Sequence, residues 1–178
     1  KYEGPTDPTI TGSFGNIFSY KSFKLNVFMT YSFGNVVRLD PVFKSEYSDL
    51  DAMPKEFRNR WIVPGDEAYT NIPVIAHTRQ VKDIPNLKYA YNAYNYSDVR
   101  VAKGDFIRMK EISLSYDFNP AWIKQFKLNN LQLKLQATNL FLIYSDSKLN
   151  GQDPEFFRSG GVASPVPKQF TLTLRLGL

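Results

Sequence analysis

Phe170, Leu172, Leu174, Leu176 and Leu178 alternate without exception with Gln169, Thr171, Thr173, Arg175 and Gly177. Successive side chains of a strand point to opposite faces, so this spacing describes a strand with one apolar and one polar face. The same period recurs three times. Leu131, Leu133, Leu135, Ala137 and Phe141 oppose Gln132, Lys134, Gln136 and Thr138, with Asn139 as the one polar interruption. Phe23, Leu25, Val27, Met29, Tyr31 and Phe33 oppose Lys24, Asn26, Phe28, Thr30 and Ser32. Ile112, Leu114, Tyr116 and Phe118 oppose Glu111, Ser113, Ser115 and Asp117; upstream, from Phe106 to Lys110, the pattern dissolves and the chain is expected to project beyond any membrane. A weaker fifth strand is suggested by Phe14, Phe18 and Tyr20, although Gly12 and Gly15 offer no side chain to pack.

These patterns predict an all-β, antiparallel segment with strands near 12–20, 23–33, 105–118, 130–142 and 169–178. The connections alternate in length. Tyr20 to Phe23 and Asn119 to Asn129 are short, whereas 34–104 and 144–168 are long. A compact soluble domain rarely carries a connection as long as 34–104, but a transmembrane barrel has short turns on one rim and long loops on the other. The long segments are therefore expected to be outer loops. Within 34–104, one short helix is expected from Pro54 to Trp61, with Pro in its first turn. The remainder, rich in Pro, Asn, Asp and Tyr, is expected to be ordered but irregular.

A single apolar face also fits a soluble β-sandwich, and the ends of the stripes separate the two. Aromatic residues gather there: Tyr20 and Phe23 at one turn, Phe118 and Trp122 at the next, Tyr31 and Phe33 at the opposite end. Rings at both ends of an aliphatic stripe are the girdles of a membrane barrel. The opposite faces carry Lys, Gln, Asn, Thr and Ser, which suit a wet lumen. Composition agrees: 15% of residues are aromatic, yet the mean hydropathy is −0.34. No apolar run approaches the roughly 20 residues of a membrane-spanning helix. Five strands cannot close a transmembrane barrel, for which about eight are needed, so further strands must complete it. The start, Lys1-Tyr2-Glu3-Gly4-Pro5, has neither initiator Met nor signal-peptide layout and reads as a processed or truncated product.

Several chemistries find little support. The net charge of +5 is dispersed among acids rather than gathered in a basic stripe, so no nucleic-acid partner is expected. Without cysteine there is no disulfide, thiolate metal site or Cys nucleophile. His77 is the sole histidine and has no evident ligand or triad partners. Asp153 and Glu155 flank a proline; they read as a loop-shaping or calcium-binding pair rather than a glycosidase pair, which needs a set separation across a cleft. Neither catalytic residues nor cofactors are expected. The candidates for ligand or lid contact are Tyr89, Tyr91, Tyr94 and Tyr96, interleaved with Asn. Rings of this kind stack on sugars or pack against a partner, and they equally serve to anchor their own loop against its conformational entropy.

The segment Gly104-Asp105-Phe106-Ile107-Arg108-Met109-Lys110-Glu111-Ile112-Ser113-Leu114-Ser115-Tyr116 resembles the "GDFxRLKxxxLxY" strand of SusC/RagA-like TonB-dependent outer-membrane transporters of Bacteroidetes. Phe14-Gly15-Asn16 leading to Phe18-Ser19-Tyr20-Lys21-Ser22-Phe23 resembles their "N-x-F-x-Y-K-G-F" hairpin, with Ser22 in place of Gly. Arg60-Trp61-Ile62-Val63-Pro64-Gly65-Asp66 resembles "RWxxPGD", Ala137-Thr138-Asn139-Leu140-Phe141 "xxNLF" and Gly151-Gln152-Asp153-Pro154-Glu155 "GxDPE". The terminal Leu178 departs from the aromatic residue on which such barrels commonly finish. The resemblance implies the closing strands of a barrel of about twenty-two. It further implies a plug domain and a TonB-contacting segment outside this sequence, a SusD-like surface lipoprotein as lid, and energised import of glycans or peptides across the outer membrane of a Gram-negative cell. The alternative from another class is a soluble β-sandwich that binds carbohydrate through the loop tyrosines.

Overall fold

A computed structural model describes residues 1–44, 53–157 and 165–177; Leu178 and parts of both long connections, 45–52 and 158–164, lie outside the described residues. Strands β1 (Ile10–Tyr20), β2 (Phe23–Phe33), β5 (Phe106–Asp117), β6 (Asn130–Ser145) and β7 (Gln169–Gly177) form one sheet in the order β1-β2-β5-β6-β7. Every neighbouring pair is antiparallel. The short strands β3 (Val36–Arg38) and β4 (Val101–Lys103) pair with each other at the base of the first long connection.

Register assembles the separate apolar stripes into one surface, because directly opposed residues share a face. Phe18, Leu25, Leu114, Leu135 and Leu172 form one cross-strand row. Phe23, Tyr116, Leu133 and Leu174 form the next. The row between them is Ser19, Lys24, Ser115, Lys134 and Thr173, and the row beyond the first is Ile17, Asn26, Ser113, Gln136 and Thr171. Apolar rows face one way and polar rows the other, with Ile17 and Phe28 as intrusions on the polar side.

The apolar pattern does not dissolve upstream of Glu111, as the sequence suggested; it changes parity. Phe28 opposes Glu111 while Met29 opposes Met109, so Lys110 is an extra residue that puts a β-bulge into β5. Ile107 and Met109 thereby join Ile112, Leu114 and Tyr116 on the apolar face, and β5 stays paired on both sides up to Phe106. Opposite the bulge, β6 spends an additional residue between Thr138 and Phe141, where Asn139 adopts a left-handed φ of 54°. The polar interruption is therefore a conformational device: Asn tolerates this backbone better than any apolar residue its neighbours would suggest.

The glycines of β1 sit beneath rings of β2. Gly12 faces Tyr31, whose ring occupies the place a side chain would take, and a Cβ on Gly15 would lie 3.1 Å from Phe28. Large cross-strand rings cover bare backbone in this way and hold the register of a glycine-containing strand.

The first long connection is more helical than expected. Helix α1 spans Thr78–Asp83 and α2 spans Leu87–Asn95, both in the stretch expected to be irregular. The helix expected from Pro54 to Trp61 is a 3-10 turn, Lys55–Asn59, which Pro54 precedes. A small core lies outside the sheet, where Val37, Leu39, Ala102 and Leu149 are buried together and Phe157 packs against them.

Candidate functional site

On the central strands no residue of the sheet's apolar face is buried, whereas Ser32, Arg108 and Ser113 of its polar face are. Both faces of the edge strands β1 and β7 are open, so the central strands decide. There Leu114 is 42% and Leu135 52% exposed, whereas Ser113 is 4% and Arg108 5% exposed. Burying polar groups while presenting aliphatic ones is unfavourable against water and favourable against hydrocarbon. At the short-turn end, Phe23, Tyr116 and Phe118 pack in sequence, the first pair tilted and the second edge-on, with centroids 4.7 and 4.9 Å apart. Tyr31 and Phe33 stack at 5.6 Å at the other end.

The polar face is cross-linked along its length. Asn26 Nδ2 donates to Glu111 Oε1 at 3.2 Å, Gln132 Nε2 to Asp117 Oδ1 at 2.7 Å, and Lys24 pairs with Asp117 at 3.1 Å. Beyond the bulge, the second long connection folds onto this face through charge. Arg108 Nη2 donates to Asp153 Oδ2, Arg108 Nε lies 2.9 Å from Glu155 Oε2, and Lys110 Nζ reaches both Glu155 oxygens at 3.1 and 3.2 Å. The bulge makes this possible, because it places Lys110 on the same side as Arg108 and Glu111. The "GDFxRLK" and "GxDPE" stretches are thus two halves of one ion-pair cluster. Asn150 and Gly151, both left-handed at φ 53° and 86°, turn the chain back toward it. Asp153 Oδ1 also accepts from the Glu155 N–H at 3.1 Å. With both carboxylates engaged by cations, the pair shapes its loop.

In the first long connection the motif residues hold the backbone. Asp105 Oδ1 accepts from Gly34 N–H at 2.7 Å, and the Asn35 side chain fills the space beside Gly104. Trp61 Nε1 donates to Thr70 O at 3.0 Å. Gly65 is left-handed at φ 105°, and Asp66 Oδ2 accepts from Val63 and Ile62 N–H at 3.0 and 2.8 Å, which holds its carboxyl below the usual carboxylate range. Arg100, buried, meets Glu56 at 2.7 Å and Asp40 O at 2.5 Å. His77 caps α1: its Nδ1 accepts from Arg79 N–H at 3.2 Å while its own N–H donates to Gln80 Oε1 at 2.9 Å.

The four tyrosines divide by helical phase. Tyr91 and Tyr94 turn inward against Phe43, with centroids 4.6 and 5.5 Å away, and Tyr91 Oη donates to Val74 O at 2.7 Å. Burial pushes the Tyr94 phenol up, although Arg100 nearby opposes this. Tyr89 and Tyr96 point out, 59% and 65% exposed. An open apolar cleft of about 420 Å³ lies beside α1 and α2, lined by Trp61, Val74, Ile84, Leu87 and Tyr91 among others. The sequence reading missed it; the signal was the helical spacing of Ile84, Leu87 and Tyr91. Among the described residues, no three His, Cys, Asp or Glu side chains are grouped to hold a metal.

The chain is 27% identical over 158 residues to TonB-dependent receptor P39 of Formosa agariphila, a match that covers 86% of this chain and 14% of that protein. The fold superposes on the RagAB peptide transporter with a TM-score of 0.66 at 22% identity, covering 98% of this chain and 18% of that one. The RagAB peptide importer in its closed-closed state gives the same TM-score and identity, with 99% and 18% covered. The chain is thus similar to part of a TonB-dependent receptor, and its fold is that of part of the RagAB transporter. No family model matches it. It spans less than a fifth of the length of these relatives. The sheet accordingly matches a segment of a TonB-dependent receptor barrel and, among the described residues, is not itself closed: β1 and β7 each have a free edge.

Proposed function

We propose that this segment forms wall and outer loops of an outer-membrane TonB-dependent transporter that imports nutrient peptides or glycans. In this reading a SusD-like surface lipoprotein covers the outer loops, and the TonB complex supplies energy through parts of the receptor outside this sequence. The single observation that carries the reading is the inverted central sheet, aliphatic toward the open side and hydrogen-bonded on the other. The RagAB transporters, named for peptide transport, favour peptide over glycan as cargo. The connections 34–104 and 144–168 then face outward, and Tyr89 and Tyr96, not Tyr91 and Tyr94, are the tyrosines free to meet ligand or lid.

The chain contains no cysteine, which makes accessibility mapping direct within a complete receptor cleared of other reactive thiols. Leu135→Cys is expected to react with a membrane-soluble maleimide and to resist a charged one, and Gln136→Cys to show the reverse preference. Equal reactivity of both positions toward the charged reagent would sink the membrane-wall reading and favour a soluble module.

A further inference from the structure

The antiparallel register places both short connections at one end of the sheet, since Tyr20 opposes Phe23, Phe23 opposes Tyr116, and Asn130 opposes Gly177. Between Tyr20 and Phe23, and between Phe118 and Asn129, the charged residues are Lys21, Lys124 and Lys127, with no acid. All three are exposed, and none joins an ion pair among the described residues; Lys21 Nζ lies 5.3 Å from the centroid of the Tyr20 ring. Asp117, just inside the rim, is already engaged by Lys24 and Gln132, so it does not neutralise them. At the opposite end acids are present, and Arg108 pairs with Asp153, Lys110 with Glu155 and Arg100 with Glu56.

The second short connection is also a fixed platform rather than a loose turn. Helix α3 (Pro120–Ile123) begins with Pro after the Asn119 cap, whose Oδ1 accepts from Ala121 N–H at 2.9 Å. It continues into a 3-10 turn over Lys124–Phe126, and Asn129 N–H donates to Gly177 O at 2.8 Å. Ile123 is 3% exposed and pins the platform, yet Trp122 and Phe126, one helical turn apart, are 73% and 74% exposed. Two rings held open beside unpaired lysines are costly in bulk water. They match a lipid interface, where rings sit at headgroup level and lysine ammonium groups reach the phosphates above.

We infer that this rim, Lys21, Trp122, Lys124, Phe126 and Lys127, is a docking surface for anionic phospholipid headgroups of the adjoining leaflet. The inference rests on the membrane-wall reading above and adds selectivity among lipids to it. Charge complementarity commits the surface to an anionic partner, because a zwitterionic headgroup leaves three ammonium groups without net compensation.

The complete receptor, reconstituted in nanodiscs of phosphatidylcholine with about one-fifth phosphatidylglycerol, is the material to test. Co-purification in the disc establishes insertion, and so checks the membrane reading separately. Native mass spectrometry then counts the phospholipids retained on the ejected protein. Phosphatidylglycerol is expected to be enriched over its bulk fraction, and the triple variant Lys21→Gln, Lys124→Gln, Lys127→Gln to lower that enrichment about fivefold or more. The corresponding triple arginine variant is expected to retain it. An inserted receptor whose glutamine variant keeps the wild-type enrichment, or whose wild type shows none, would overturn the inference.

Discussion

Arg108 and Asp153 show what a single residue contributes here. Their side chains are 6% and 8% exposed; Asp153 has Arg108 as its cation, whereas Arg108 also has Glu155 at 2.9 Å. Removing one partner of a buried ion pair costs about 3–5 kcal/mol where the remaining charge is left alone, and less where, as for Arg108, a second carboxylate stays beside it. Asp153→Ala is therefore expected to release the segment around Gly151 to Phe157 from the polar face. Lys110, whose bond to Glu155 is 29% and 34% exposed, contributes up to about 1 kcal/mol, as exposed pairs do. Hydrogen exchange of the intact receptor distinguishes them: backbone amides of 149–157 are expected to lose strong protection in Asp153→Ala and to change little in Lys110→Gln. Comparable loss in both would mean that the cluster does not hold the loop. None of this pairing was legible beforehand. Residues 108 and 153 belong to different motifs, and only the bulge at Lys110 brings them to one face.

The strands were the most legible elements and the helices the least, for a physical reason. A strand with one face in hydrocarbon and the other in water has to alternate, so period two survives in the sequence wherever the register is regular. It failed at Phe106 to Lys110 and at Asn139, where the β5–β6 register shifts twice, between Ile107 and Arg108 and between Met109 and Glu111. Helix α2 answers to a different constraint: Leu87, Tyr91, Tyr94 and the buried Asn95, which bonds the Val42 and Phe43 backbone, carry its inner face, while exposed Asn and Tyr give the rest the composition of a loop. That also explains why two of the four candidate tyrosines, Tyr91 and Tyr94, pack against Phe43. The bulge can be tested at the element scale through Asn139, whose left-handed backbone costs a side chain with a Cβ roughly 1–2 kcal/mol. Asn139→Gly is expected to leave the denaturation midpoint of the receptor barrel unchanged or slightly raised, and Asn139→Val to lower it. A Val variant as stable as Gly would show that the ladder can shed the bulge.

For the whole molecule, the open edges weigh more than the faces. Among the described residues, β1 and β7 each leave a row of backbone N–H and C=O groups without a strand partner, and such groups cost several kcal/mol apiece in hydrocarbon. Water would satisfy the edges but then meets the aliphatic face, where Phe170 and Leu172 are 73% and 69% exposed. Neither solvent suits both features, so the physical unit is a closed barrel in which further strands cover the two edges. The isolated 178-residue chain is accordingly expected to aggregate in buffer and, in detergent, to remain without the heat-sensitive gel mobility of a folded barrel. The complete receptor is expected to show that mobility. Sedimentation and cooperative unfolding settle the matter. A detergent-free monomer that melts in one sharp transition would require a buried apolar face, and that is the soluble sandwich weighed against the barrel from the alternating strands alone.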